Sequence, residues 1–151
     1  MTTIRCYRAE PRHVAVFEAL QRDAFARNRI LLGVEPLPLL AEYGDIVAGK
    51  ESWLTGKETE PDGALVLEVD DDALLIWSVA VAPHAQGRGL GNRLLNFAEQ
   101  RARDQGLKAL TLYTGEPLTD NIAWYGRHGF DITGVETLPD RRVVHMRKEI
   151  S

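Results

Sequence analysis

Cysteine is nearly absent from this chain: Cys6 is the only one among 151 residues. No intrachain disulfide can form, and no cysteine cluster can hold a metal. Long apolar runs are missing too, and none approaches the roughly 20 residues needed to span a bilayer. The segment Met1-Thr2-Thr3-Ile4-Arg5-Cys6-Tyr7-Arg8 lacks the apolar stretch of a signal peptide. These absences lead us to expect a cytoplasmic protein with no membrane partner. Nor is there a basic excess, with 22 acidic against 18 basic residues and a net charge of −4. Nucleic-acid binders usually carry a basic excess or stripe, so nucleic acid is not an expected partner. No linker, repeat or low-complexity stretch divides residues 1–151, which read as one domain. His13, His84, His128 and His145 have no companions at metal-ligand spacing, and Asp70-Asp71-Asp72 reads as turn chemistry, so no metal is expected. The 44% hydrophobic and 26% charged composition is that of an ordinary globular protein with a proper core.

What the chain does have is an alternating order of strand and helix patterns. Thr3 to Arg8 reads as a strand, and Pro11 opens a helix with Val14, Phe17, Leu20, Ala24 and Phe25 near helical spacing. Gly33, Pro36 and Pro38 break Arg29 to Pro38 into a predicted loop, and a second helix is predicted over Leu39 to Ala48. Glu51 to Thr55 reads as a short strand and Gly56 to Gly63 as a polar turn. Ala64 to Val69 and Leu74 to Ala82 flank the three aspartates as a predicted hairpin. Further on, Leu90, Leu94, Leu95, Phe97, Ala98 and Ala102 share one helical face, and Gly106 ends that helix. A strand over Lys108 to Tyr113, a helix over Asn121 to Arg127, and strands near Phe130 to Val135 and Arg142 to Arg147 complete the order. The expected class is α/β, a single mixed sheet with helices on both faces.

The most informative stretch runs from Trp77 to Asn92. An apolar strand stops at Pro83, a turn carries Gly87, Gly89 and Gly91, and an amphipathic run from Arg93 to Arg103 follows. Glycines allow a tight bend and remove side chains that would block close approach. Unpaired amides and a positive dipole end at a helix start make an anion site, with phosphate the usual guest. Arg88 adds a full positive charge. A Walker A loop needs Gly-Lys-Ser or Gly-Lys-Thr, but Gly91 is followed by Asn92-Arg93. The dinucleotide fingerprint needs a third glycine where Asn92 stands, and the next strand ends in Thr114-Gly115-Glu116, a poor match for its acidic residue.

Gln86-x-x-Gly89-x-Gly91 resembles the Gln/Arg-x-x-Gly-x-Gly/Ala signature of the GNAT acetyltransferases. That family's next motif, a helix with Asn and Tyr ending in Gly-Phe or Gly-Tyr, resembles Thr119-Asp120-Asn121-Ile122-Ala123-Trp124-Tyr125-Gly126-Arg127-His128-Gly129-Phe130. The resemblance covers about Gly63 to Phe130, with both motifs in the family's order. It implies a GNAT fold in which a splayed strand pair holds CoA, and an acetyl-CoA-dependent N-acetyltransferase. The acceptor implied is a primary amine of a small molecule or peptide, attacking directly. The co-substrate would lie against the backbone of Val79, Ala80 and Val81, with Gln86, Gly87, Arg88, Gly89, Leu90, Gly91 and Asn92 around its pyrophosphate. Tyr125 takes the family position of the acid that protonates the departing thiolate, and its plain alternative is a core aromatic beside Trp124. Asn121 either bonds the pantetheine or sulfur side or simply caps its helix. Self-association through the C-terminal strands makes a homodimer a family-based expectation.

The general base is open at this level. Leu74 to Val81 carries no carboxylate, and Trp77 and Ser78 stand there instead. Glu35, Tyr43, Asp45 and Glu68 are the acceptor-side candidates, and water could carry the proton away without any of them. Acidic residues around the acceptor loop point weakly to a cationic amine. A non-catalytic acyl-CoA-binding module is the alternative from a different class.

Overall fold

In the computed structural model, which describes residues 4–150, two strands form the spine: β3 (Pro61–Asp70) and β4 (Ala73–Val81). β4 is apolar at every residue but Ser78, and β3 carries an unbroken buried apolar run from Ala64 to Leu67, the pattern of strands covered on two faces rather than one. They join in a tight hairpin whose Asp71 sits at φ 56°, a left-handed conformation that Asp tolerates better than bulkier residues. Around them assemble β1 (Cys6–Arg8), β2 (Glu51–Gly56), β5 (Ala109–Gly115), β6 (Asp131–Thr137) and β7 (Arg142–Glu149). The resulting sheet has seven strands in the order β1-β2-β3-β4-β5-β7-β6, and only the β4–β5 pairing is parallel.

Helices cover both faces, as the α/β expectation had it. On one side Leu65, Leu67, Leu74 and Ile76 pack against Leu94, Leu95, Ala98 and Ala102 of α4 (Leu90–Asp104). On the other, Ala64, Val66 and Ala80 meet Phe17 and Leu20 of α1 (Val14–Ala24) and Tyr43, Ile46 and Val47 of α3 (Tyr43–Gly49). Each fully buried leucine or isoleucine contributes about 1.5–3 kcal/mol of transfer free energy, so the two layers fix the sheet firmly. The fifth main helix, α5 (Thr119–Arg127), follows β5.

Several boundaries differ from those the sequence suggests. The predicted loop Arg29 to Pro38 begins later, because α2 (Ala26–Leu32) occupies its first part. Gly33 is the cause: at φ 73° its amide bonds the Arg29 carbonyl, so it ends a helix rather than opening a loop. The helix predicted over Leu39 to Ala48 splits into a 3₁₀ turn, Leu37–Leu40, and α3. Ala41 is extended between them, and the Glu42 carboxylate caps α3 by accepting from the Gly44 amide at 3.0 Å. Strand β3 starts at Pro61, inside the predicted turn, which a proline at a strand's first position permits. The first strand covers only Cys6–Arg8; Thr3 lies outside the described residues.

One irregularity shapes everything downstream. Val66 pairs with Ser78 while Leu67 pairs with Ile76, leaving Trp77 as an extra residue in β4. Leu74 and Ile76 face α4, Trp77 and Ser78 both turn to the α1–α3 side, and Val79 and Val81 return to the α4 side. Such a bulge bends its strand and increases the local twist. Pairing between β4 and β5 is confined to Ala73↔Ala109, Leu74↔Leu110 and Leu75↔Thr111, and beyond these residues the strands part. Their outer edges stay paired, β4 with β3 as far as Val81↔Gly63 and β5 with β7 as far as Gly115↔Val143. A wedge therefore opens in the middle of the sheet.

Candidate active site

The wedge is a cleft with one wall from each diverging strand. Ile76, Trp77, Ser78 and Val79 supply the β4 wall, and Leu112, Tyr113, Thr114 and Gly115 the β5 wall. Backbone groups of β4 that face this gap have no strand to bond, so an extended ligand with amides of its own can take that place. Val79, Ala80 and Val81 lie on this open stretch.

At the end of β4 the chain makes a 3₁₀ turn, Pro83–Ala85, and enters the glycine segment. Gly87 and Gly89 sit at φ 80° and 73°, where only glycine is comfortable. Leu90 then opens α4, the first residue of the apolar helical face read from the sequence, and the Arg93 amide bonding the Gly89 carbonyl at 3.2 Å closes the first turn. Among the described residues the amides from Gly87 to Asn92 have no backbone acceptor. They are the orphan donors of a helix start, and with the helix dipole they favour an anion. Gln86 donates from Nε2 to the Val81 carbonyl at 3.2 Å, tying the turn to the strand end. Arg88 is exposed and donates to the His84 carbonyl at 3.0 Å.

Gly91 has a different role from the other two glycines. A Cβ there would stand 3.1 Å from the Trp124 ring of α5, too close without a shift. The Trp124 indole N–H also donates to Asn92 Oδ1 at 3.3 Å. The glycine turn and α5 are thereby packed together, bringing Asn121 and Tyr125 into the same cleft.

Tyr125 lines the cleft while its ring packs edge-on against Phe130, with centroids 5.7 Å apart. Among the described residues its hydroxyl has no hydrogen-bond partner, and burial pushes its pKa well above that of an ordinary phenol. A raised phenol pKa keeps the proton on the oxygen throughout the neutral range. Asn121 is the third residue of α5, and Leu118 occupies the cap position, so the capping reading gives way to one in which its side chain lines the cleft.

The four acceptor-side candidates are not brought together, and none lines the cleft. Tyr43 is a core residue: its hydroxyl donates to the Pro38 carbonyl at 2.7 Å and accepts from Gln21 Nε2 at 3.0 Å, and burial pushes its pKa to about 12. The same Gln21 amide donates to Ser78 Oγ at 2.8 Å, so this buried network buttresses the bulge from behind. Glu35 is paired with Arg29 at 2.9 Å, Glu68 is paired with Lys50, and Asp45 is exposed on α3.

Instead, Phe25, Asn28 and Leu32 from the α1–α2 region, Pro36 to Pro38, Leu118, Arg141 and Val143 complete the lining. Sequence reasoning misses Arg141. Its side chain is only 6% exposed, grips Asp140 through Nε and Nη2 at 3.0 and 2.9 Å, and donates from Nη1 to the Glu35 carbonyl at 2.7 Å. Among the lining residues no Asp, Glu, His, Lys or Cys is present, leaving Tyr113, Tyr125 and Arg141 as the titratable groups. Among the described residues no three His, Cys, Asp or Glu side chains are grouped to hold a metal, and no helix is long and apolar enough to cross a membrane.

A model of the acetyltransferase (GNAT) family matches residues 13–130. The chain belongs to the GNAT family of acetyltransferases. It is 40% identical over 112 residues to the mycothiol acetyltransferase of Cellulomonas flavigena, covering 69% of this chain and 31% of that protein. With the amino-acid acetyltransferase of Pseudomonas fluorescens it shares 39% identity over 79 residues, 52% of this chain and 17% of that one. The chain thus spans less than a third of the length of either curated relative. The PaiA N-acetyltransferase of Thermoplasma acidophilum, solved in complex with coenzyme A, superposes over 99% of this chain and 100% of that one with a TM-score of 0.75. At 12% identity that likeness is one of fold alone. The GNAT match takes in the bulged strand, the glycine turn and α5, but it ends at residue 130, before Arg141.

Proposed function

We propose that this chain is an acetyl-CoA-dependent N-acetyltransferase that acts on a primary amine of a small molecule or peptide by direct attack. One observation carries the reading: the unpaired β4 edge, the orphan amides from Gly87 to Asn92 and the free Tyr125 hydroxyl belong to one continuous region of the fold. The family membership and the coenzyme A complex of a fold neighbour support the same co-substrate.

Acetyl-CoA supplies a thioester whose carbonyl an amine can attack without a protein nucleophile. The amides from Gly87 to Asn92 hold the pyrophosphate, with Arg88 adding charge at the exposed edge. The open backbone of Val79 and the amide of Val81 pair with the pantetheine, while Ala80 bonds β3, and a backbone amide there gives the acetyl oxygen a donor as negative charge develops. Asn121 offers a further amide to the pantetheine or the sulfur side. As the amine nitrogen bonds the carbonyl carbon and the C–S bond breaks, Tyr125 hydrogen-bonds the sulfur and passes it a proton. The attacking amine loses one proton to water and the Tyr125 phenolate takes one back from water, so the balance is amide plus free thiol. A phenol already holds its proton more tightly than a thiol, and burial strengthens that hold, so Tyr125 yields the proton only as negative charge develops on the sulfur.

The cleft lining carries no carboxylate or imidazole, which favours an acceptor that arrives already neutral and loses its proton to water. The same feature is what a non-catalytic acyl-CoA-binding module would present. Thiol release from acetyl-CoA across an amine panel, run beside CoA calorimetry, separates the two. Release that depends on an amine supports the transferase. Tight CoA binding with no release for any amine makes the chain a binding module.

A further inference from the structure

We propose that the acceptor carries a carboxylate beside its amine and an apolar side chain, and that Arg141 binds that carboxylate. The inference rests on the acetyl-transfer reading only for what the amine does next; the binding claim stands on the charge and shape of the cleft.

Arg141 carries the one formal charge at neutral pH among the residues that line this space. The acids that the sequence places near the acceptor are spent elsewhere, Glu35 on Arg29 and Glu68 on Lys50. A lone ammonium entering here meets no carboxylate in the lining and a buried guanidinium, whereas a carboxylate meets donors of opposite charge. A guanidinium has five N–H groups. Nε and one hydrogen of Nη2 go to Asp140, and one hydrogen of Nη1 goes to the Glu35 carbonyl. Among the described residues one hydrogen on each terminal nitrogen is left without a protein acceptor, so the guanidinium keeps charged donors for a carboxylate.

Asp140 does not cancel the site. Its carboxylate is 56% exposed and well hydrated, while Arg141 is 6% exposed. Together with the Glu35 carbonyl, Asp140 fixes the plane of the guanidinium before any ligand arrives, which lowers the entropy lost on binding. Phe25, Leu32, Leu37 and Trp77 make much of the remaining wall apolar, which suits a hydrocarbon or aromatic side chain rather than a second charge. The combination describes an α-amino acid of apolar side chain or a close amino-carboxylate. Arg141 sits in the turn between β6 and β7, beyond the matched family segment.

The test titrates the CoA-loaded protein with L-phenylalanine and with 2-phenylethylamine, which lacks only the carboxylate, and reads binding by calorimetry. Charged hydrogen bonds of this kind predict an affinity for phenylalanine about 10–100-fold tighter. Arg141→Gln should shrink that ratio towards one, and Arg141→Lys should keep part of it. Asp140→Asn keeps an oxygen acceptor that holds the guanidinium plane while removing the negative charge beside it, so the ratio should widen a few-fold even if Arg141→Gln fails to fold. Equal affinities, binding of neither probe, or a preference that survives Arg141→Gln in a folded protein would overturn the proposal. Phenylalanine that binds with the expected preference while neither it nor any amine of the panel is acetylated supports Arg141 as a carboxylate site and defeats the acetyl-transfer reading instead.

Discussion

Gly91 and Trp124 stand so close that a single added carbon on the glycine would lie 3.1 Å from the indole ring. Gly89, two residues earlier, has open space around it but a φ of 73°. The two glycines are therefore required for different reasons, one by a neighbour and one by its own backbone. Gly89→Val should weaken CoA binding, because a β-branched residue resists left-handed geometry by about 1–2 kcal/mol and crowds the amides. Unchanged CoA affinity by calorimetry in a folded Gly89→Val protein would place the phosphate cradle elsewhere.

Gly91→Ala should also weaken CoA binding, but here Trp124→Leu in the same chain should restore much of the loss. A clash relieved by its partner gives a coupling energy, and residues in contact typically show about 0.5–3 kcal/mol. Additive effects of the two substitutions on CoA affinity would show that the contact does not govern the turn.

The absence of a carboxylate or imidazole from the cleft lining fixes the pH dependence of the proposed reaction. kcat/KM should rise with pH along the acceptor's own deprotonation and level off near that amine's pKa. No fall should follow until well above pH 10, because burial raises the Tyr125 pKa and keeps its proton in place. Profiles for two acceptors of different amine pKa should therefore be displaced from one another. A shared inflection near pH 6–7 with both amines would reveal a protein base.

A stability prediction comes from Glu51, which reaches from β2 to Arg101 of α4 at 2.7 Å and also accepts from the Trp53 indole at 2.8 Å. Burial alone would raise the Glu51 pKa, yet the bonds from Arg101 and Trp53 outweigh it and hold the carboxyl below its ordinary value. A lowered folded pKa means that the stabilisation is present above the unfolded value of about 4.3 and is lost as pH falls through the folded one. Glu51→Gln should thus destabilise the protein by about 1–3 kcal/mol at pH 7. The gap to the native chain should close in denaturant melts taken progressively below pH 4, and a constant gap across that range would dismiss the pair as a stabiliser.

How much of this was legible in the sequence depends on how local each feature is. The glycine turn and the Asn121–Tyr125 helix are each encoded within about a dozen residues, so spacing alone reveals them. The sheet with helices on both faces follows from apolar periodicities, which are also local. The bulge at Trp77 leaves no trace, because Leu74 to Val81 is apolar at nearly every position and a slip of one residue breaks no visible alternation. Gly33 reads as the opening of a loop because glycine both breaks and caps helices, and only its φ of 73° tells which. The acceptor wall is the least legible part. Arg141 meets Glu35 across 106 residues of chain, and an arginine in a polar turn looks like any solvated charge until the fold buries it. Tyr43 errs in the opposite direction: a tyrosine near an expected pocket is in fact a core residue whose hydroxyl is satisfied internally.

Tyr125 offers the sharpest test of the proposed chemistry. Among the described residues its hydroxyl has no hydrogen-bond partner, while its ring is held by Trp124 at a 5.0 Å centroid distance and by Phe130. Packing and proton donation therefore reside in different atoms, and Tyr125→Phe removes only the second. The variant should fold, keep most of its CoA affinity and lose kcat by about 10²–10⁴-fold, the usual worth of general acid catalysis, if proton transfer limits the rate. Should product release limit turnover, the steady-state loss will be smaller, and a rapid-quench single turnover isolates the transfer step. The deficit should also shrink with thioesters whose thiols are more acidic, since a better leaving group needs less help from an acid. A folded Phe variant with an unchanged single-turnover rate across pH would reduce Tyr125 to a packing residue and leave the thiolate to take its proton from water.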